Sequence, residues 1–169
     1  MKKLSGIIKI ILAAAFIFVI IPITYINISS HRSYVSVLKI PEVWKLKAVK
    51  QSWGEPVDII TEAKNGSYKL VKLDYDGFYV TADKTEYDRH QDDVIVNAFA
   101  VYSDKFKFAN KKIGVGSPKE DIVDLYSGKY TEISGLDSNE CGYIIGRCWV
   151  DFVFDNNDIV EKIFITDGI

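Results

Sequence analysis

Three kinds of hydrophobic pattern follow one another along the chain. The first is unbroken: residues 7–28 read IIKIILAAAFIFVIIPITYINI, with Lys9 as their one charge. The second has a helical period. In residues 41–54, Val43, Leu46, Val49 and Trp53 recur at spacings of three to four, Pro41 is tolerated in a first turn, and Gly54 with Pro56 ends the run. In residues 113–128, Ser117 predicts an N-cap, Pro118 the first helical position and Glu120 the return partner of a capping box. Ile122, Val123, Leu125 and Tyr126 supply the apolar stripe, and Gly128 the stop.

The third pattern has a period of two. Residues 57–63, 68–75 and 78–82 predict a three-stranded antiparallel meander, with turns at Asn65-Gly66 and Asp76-Gly77. Residues 94–102 predict a further strand. Beyond Gly128 come a strand at 129–133, a turn-rich stretch at 135–140, one long strand at 143–155, and a turn at Asn156-Asn157 into 159–166. Residues 31–39 read as a short stalk, 83–93 as a charged surface loop and 103–112 as a connector.

The order helix, strands, helix, strands predicts an α+β fold: an antiparallel sheet with short helices packed on one face. Two tandem helix-plus-strands units, 36–102 and 108–166, are expected, since solenoid repeats are shorter and more numerous. With 169 residues, 48% of them hydrophobic and 26% charged, disorder is excluded as the default state.

The unbroken run sets the address. From Ile10 it carries 19 uncharged residues, and about 20 span a bilayer core of roughly 30 Å. Lys2, Lys3 and Lys9 precede it, so the positive-inside rule puts the N-terminus in the cytoplasm. The expectation is a single-pass signal anchor at 1–30 and an extracytoplasmic domain at 31–169. A cleaved signal peptide and a buried core helix are the alternatives. No small-x-small cleavage site follows the run, and Pro22 argues against a soluble helix.

Setting aside those three lysines, 18 basic residues face 23 acidic, a formal charge of −5. No Lys/Arg-rich stripe of the kind nucleic-acid binding needs is present, so nucleic acid is excluded as a partner. Cys141 and Cys148 lie in the exported part, where disulfides persist. A bond between them requires a chain reversal, which Gly142 and Gly146 allow; the alternative is two unpaired thiols, with Cys148 packed in a strand.

A hydrophobic residue, a Gly, a Ser cap, a short helix and a closing aromatic near Gly stand at Ile113, Gly116, Ser117, Val123, Tyr126 and Gly128, and Trp53-Gly54-Glu55-Pro56 matches the end of the same pattern. This resembles the repeats of the β-lactamase inhibitory protein and the small lipoprotein of the outer-membrane β-barrel assembly machinery. The second copy departs from the pattern, with Tyr-Ser-Gly and no following Pro. The resemblance implies a sheet that binds other proteins and does not catalyse, and it assigns no binding residues.

Candidate chemistry is sparse. His31 and His90 are far apart in sequence. The acids Asp83, Glu86, Asp88, Asp92 and Asp93 around His90 lack the D-x-D-x-D-G spacing of a Ca²⁺ loop, and Lys84 and Arg89 sit among them. Gly114-Val-Gly116 is followed by neither a third glycine nor G-K-[ST], and no G-x-S-x-G occurs. The expectation is therefore no catalytic, metal or cofactor-binding residue. Aromatics, at 13% of the chain, remain. Tyr68, Tyr75, Tyr79, Tyr143 and Trp149 are the candidates for an exposed set on one sheet face, suited to a partner. The sequence thus predicts a membrane-anchored, extracytoplasmic, non-catalytic binding module that recognises a protein or envelope component. An immunity-type protein that neutralises a toxin at the membrane is an alternative, and a metal-dependent or hydrolytic enzyme a second.

Overall fold

β-branched and aromatic residues in alternation build eight strands among the described residues: β1 Asp58–Lys64, β2 Tyr68–Tyr75, β3 Phe78–Asp83, β4 Val96–Val101, β5 Thr131–Glu132, β6 Glu140–Ile145, β7 Cys148–Phe154 and β8 Val160–Asp167. This is a computed structural model, which describes residues 32–64 and 68–168; the side chains of Ala63, Lys64 and Tyr68 lie outside that description. The predicted anchor at 1–30 and the Asn65-Gly66 turn also lie outside the described residues. No described helix is long and apolar enough to cross a membrane.

The strands form one sheet in the order β1-β2-β3-β4-β8-β7-β6-β5, and every neighbouring pair is antiparallel. β1 to β4 and β5 to β8 are two consecutive meanders, joined where β4 pairs with β8. Asp76-Gly77 turns as expected, with Gly77 at φ 97° between the paired Tyr75 and Phe78.

Residues 143–155 are not one strand. Gly146, at φ 66°, and Arg147 form a two-residue turn between the paired Ile145 and Cys148, so the chain reverses in the middle of the expected strand. That reversal does not unite the cysteines, which are both free. Cys148 lies opposite Ile145, four residues from Cys141 along β6. At about 3.3 Å per residue this is roughly 13 Å, well beyond the about 7 Å that a disulfide tolerates. Burial pushes both thiols up to about 11, so they are unreactive near neutrality.

Helical residues are described at 32–38 (α1), Leu46–Trp53 (α2), Lys84–His90 (α3) and Lys119–Tyr126 (α4), the last three being short helices. Within the expected stalk, residues 32–38 are thus helical, and Tyr34 and Leu38 are fully buried. α2 begins later than predicted because Trp44 and Leu46 exchange backbone hydrogen bonds with Val96 and Val94, which holds Lys45 extended; Val43 is left exposed. α3 and the 3₁₀ turn Gln91–Asp93 replace the expected charged loop. Asp83 Oδ1 accepts from Glu86 N at 2.9 Å, and Lys84–Asp88 and Glu86–Arg89 pair along the helix.

α4 starts one residue later than its capping box predicts. Ser117 and Pro118 are extended against β8, with Val160 N donating to Ser117 O at 2.9 Å and Lys119 N to Asp158 O at 2.8 Å. Pro118 therefore occupies the cap position, and Ser117 Oγ instead accepts from Gly114 N at 3.1 Å. Ile122 and Tyr126 are buried as expected, and Gly128, at φ 70°, follows the helix end.

The core is aromatic. Phe78, Phe99, Phe152 and Phe154 are buried together with Val80, Val150, Ile163 and Ile165. Helical and loop rings meet them: Trp44 lies 5.5 Å from Phe99, Trp53 5.0 Å from Phe78 and Tyr126 5.7 Å from Phe152. Each buried Phe stabilises the fold by roughly 1.5–3 kcal/mol relative to exposure. The Tyr34 and Tyr126 hydroxyls, 3.0 Å apart, satisfy one another inside this core and tie α1 to α4.

Candidate functional site

Register sorts the sheet residues into two faces. Val71, Leu73, Phe78, Val80, Phe99, Val150, Phe152, Ile163 and Ile165 are buried on one of them. Cross-strand partners trace the other: Asp74, Tyr79, Ala100, Phe164, Asp151 and Gly142 in one row, and Lys72, Thr81, Ala98, Thr166, Trp149 and Ile144 in the next. Ala98 and Ala100 at the centre make a low floor, flanked by Tyr79 on β3 and by Phe164 and Trp149 on β8 and β7.

Trp149 is 43% exposed, although Gly168 lies against its indole so closely that a Cβ there would come within 2.5 Å of the ring. Tyr79 is half-buried and stacks on Tyr102 with ring centroids 6.3 Å apart; Lys72 Nζ stands 4.3 Å from the Tyr79 ring. Tyr102, 40% exposed, donates to Asp74 Oδ1 at 2.8 Å and accepts from Gly77 N at 3.3 Å. Burial, with Glu62 and Asp74 nearby, raises the Tyr79 phenol above its ordinary value, so it remains a neutral donor.

Of the five predicted aromatics, Tyr79 and Trp149 share this face. Tyr75 and Tyr143 do not: each is 3% exposed and points to the core, where Tyr75 stacks on Phe78 at 5.0 Å and Tyr143 meets Tyr126 at 5.4 Å. Burial pushes the Tyr75 phenol up to about 12, with Lys50 opposing the shift; Lys50 itself bonds Asp92 and Glu55, each at 2.8 Å. The Tyr68 side chain lies outside the described residues. Tyr102 and Phe164 were not among the predicted residues; Tyr102 continues the parity of Ala98 and Ala100, and Phe164 alternates with the buried Ile163 and Ile165 of β8, which was the available signal.

Asp151 is the polar group on this face that the sequence left unused. Its Oδ1 is buried without a hydrogen-bond partner among the described residues. Loop residues Ile133 and Leu136 come down over Gly142 opposite, where a Cβ would also collide with Asp151 Oδ1. Burial, then the charge of Glu140, raises its carboxyl to about 6.

A separate concavity of about 560 Å³ gathers Lys45, Asp83, Glu86, His90, Asp93 and Ile95. His90 Nε2 lies 3.5 Å from Glu86 Oε2 one turn away on α3, and both side chains are about half exposed, at 57% and 49%. Among the described residues no three His, Cys, Asp or Glu side chains are placed to hold a metal ion.

No family model matches the chain, and no curated protein matches it. Among solved structures, an extracellular protein containing a SCP domain from Bacillus anthracis is similar at a TM-score of 0.49 and 16% identity, over 78% of this chain and 45% of that one. A cysteine-rich secretory protein from Staphylococcus aureus gives 0.46 and 8%, over 74% of this chain and 44% of that one. The chain thus spans less than half the length of these two. A DUF4309 family protein (YjgB) from Bacillus subtilis gives 0.44 and 11%, over 83% and 97%. None of the three is an inhibitory protein or assembly lipoprotein of the kind that the sequence resembles.

Proposed function

We propose that the chain is a membrane-anchored, extracytoplasmic binding module that recognises a protein or envelope component through the aromatic face of its sheet. In this reading residues 1–30 are the anchor, and two tandem helix-plus-strands units join at β4 and β8. Their helices cover one sheet face and leave the other to the partner. The observation that carries the reading is Trp149: a 43% exposed indole on the central rows of a sheet face whose floor is alanine. Aromatics that bury large area at little entropic cost are the usual anchors of protein interfaces.

The test is capture from the chain's own envelope after cross-linking, with the full chain and its Trp149→Ala and Tyr79→Ala variants. Hot-spot residues cost at least about 2 kcal/mol on truncation, so each variant is expected to lose roughly thirtyfold in partner affinity, measured where circular dichroism shows it still folded. Equal capture by both variants would overturn the assignment of this face.

One observation favours a second reading. The concavity that brings His90 beside Glu86, Asp83 and Asp93 offers titratable groups in one place, as a hydrolytic site requires. The exposure of both His90 and Glu86 places it second, because a general base works best in a fixed, partly desolvated setting. Loss of a hydrolytic activity in His90→Gln, with partner capture intact, would reverse that order.

A further inference from the structure

Residues 103–113, which leave β4 for α4, carry four lysines, Lys105, Lys107, Lys111 and Lys112, against the single acid Asp104. Phe106 and Phe108 between them are buried, so this connector is fixed to the core while its lysines lie at the surface. Phe108 N donates to Ile113 O at 2.7 Å and Lys112 N to Phe108 O at 3.0 Å, closing a four-residue turn. Inside it Ala109, Asn110 and Lys111 have φ of 47°, 60° and 68°. Three successive non-glycine residues in the left-handed region are held there only where surroundings impose it.

The surroundings are the first described residues of α1. Ala109 N donates to Ser33 Oγ at 2.9 Å, and Phe108 stacks on Tyr34 with centroids 4.3 Å apart. The turn is thereby pinned beside Arg32. Lys105 is occupied by Asp76 at 2.7 Å, and Lys107 donates to Val115 O at 2.8 Å. Arg32, Lys111 and Lys112 are exposed and have no acidic partner within 4.0 Å among the described residues, a local excess of cations on a domain whose net charge is −5.

Chain length fixes where this excess sits. Only three residues, Ser29, Ser30 and His31, separate Arg32 from the end of the apolar run at Ile28, and these four steps reach at most about 14 Å. We propose that Arg32, Lys111 and Lys112 form a docking surface for anionic lipid headgroups of the membrane that holds the chain, so that the domain rests on the bilayer in one orientation. The inference rests on the anchor reading above. A domain of net negative charge approaches an anionic surface most favourably through a cationic patch without acidic partners, and a pinned turn loses little entropy on contact.

The experiment uses the full chain in vesicles of phosphatidylcholine alone and of an equal mixture with phosphatidylglycerol. After an alkaline carbonate wash, a membrane-impermeant amine reagent is applied and each lysine is read by mass spectrometry. Lys111 and Lys112 are expected to label about fivefold more slowly in the anionic vesicles, with Lys47 unchanged, and to recover at about 1 M salt, where screening is nearly complete. Arg32→Gln, which keeps both reporter lysines, is expected to lose part of that protection, and unchanged protection removes Arg32 from the contact. A chain that survives the wash but labels equally in both vesicles overturns the lipid contact and leaves the anchor standing. Release by the wash overturns the anchor and the contact with it.

Discussion

Asp151 shows how one residue's setting becomes a property of the whole protein. It sits on an otherwise apolar strand between Val150 and Phe152, and it fits because Gly142 opposite has no side chain to displace it. Its carboxyl titrates near 6, against about 3.9 in an unfolded chain. The raised value means that folding favours the neutral acid. Its contribution to stability is therefore complete below about pH 4 and is lost as pH rises through 6. For a half-buried, partly screened group the loss is no more than about 2 kcal/mol. Asp151→Asn, neutral at every pH, is expected to gain on the natural protein by about 1 kcal/mol between about pH 4.5 and 7.5. Urea denaturation of both proteins at several pH values measures that difference, and a constant difference across the range would remove Asp151 as its cause.

Residue-level errors of the sequence reading trace to parity. Tyr143 and Trp149 are both odd-numbered, so a single strand over 143–155 puts them on one face. The Gly146-Arg147 turn instead pairs Ile145 with Cys148, which sets Tyr143 opposite core residue Val150 and Trp149 opposite Ile144. The same inversion separates Tyr75 from Tyr79 across Asp76-Gly77, where Tyr75 faces Phe78. Hydrophobic period locates a strand, but a two-residue turn, unforeseen at Gly146-Arg147 and foreseen at Asp76-Gly77, reverses the parity of everything beyond it.

At the scale of elements, most strand positions were legible because alternation and turn dipeptides are local signals, but the reversal between β6 and β7 was not, and neither was α3. Its seven residues, KTEYDRH, bury none of their number, so no apolar stripe marks them. Besides the half-buried Tyr87, which packs against the core, what holds them is local: the Asp83 cap and the charge pairs Lys84–Asp88 and Glu86–Arg89. Those spacings were in the sequence, but charge pairs of this kind contribute only about 0.2–0.5 kcal/mol each and do not by themselves predict a helix. The cap is the larger contribution, so Asp83→Ala is expected to cost about 1 kcal/mol and to open this helix first. Hydrogen exchange over residues 84–93 should quicken by roughly fivefold while β3 keeps its protection; equal acceleration in β3 would mean that α3 and the sheet open together. The concavity beside His90 would loosen with the helix, which makes this variant informative about the second functional reading as well.

On the scale of the whole molecule, the sheet is two meanders held together at one seam. Ala98, Phe99, Ala100 and Val101 of β4 face Thr166, Ile165, Phe164 and Ile163 of β8. Phe99 and Ile165 drive this seam into the core below, while Ala100 and Phe164 belong to the aromatic face above. Core and candidate site therefore share the same four pairs. β8 is central to the sheet, so the second meander keeps an open strand edge until it pairs with the first, and Tyr34 with Tyr126 adds a further bond from α1 to α4. A fold joined this way is expected to unfold as one unit, not as two repeats that melt separately. In hydrogen exchange of the full chain, the slowest amides of β3 and of β7 should open with the same free energy, and Phe99→Ala should lower both by the same amount, about 3–5 kcal/mol for a buried Phe. If β7 kept its protection while β3 lost it, the two halves would be independent units, and the aromatic face would be a surface assembled between them instead of one rigid platform.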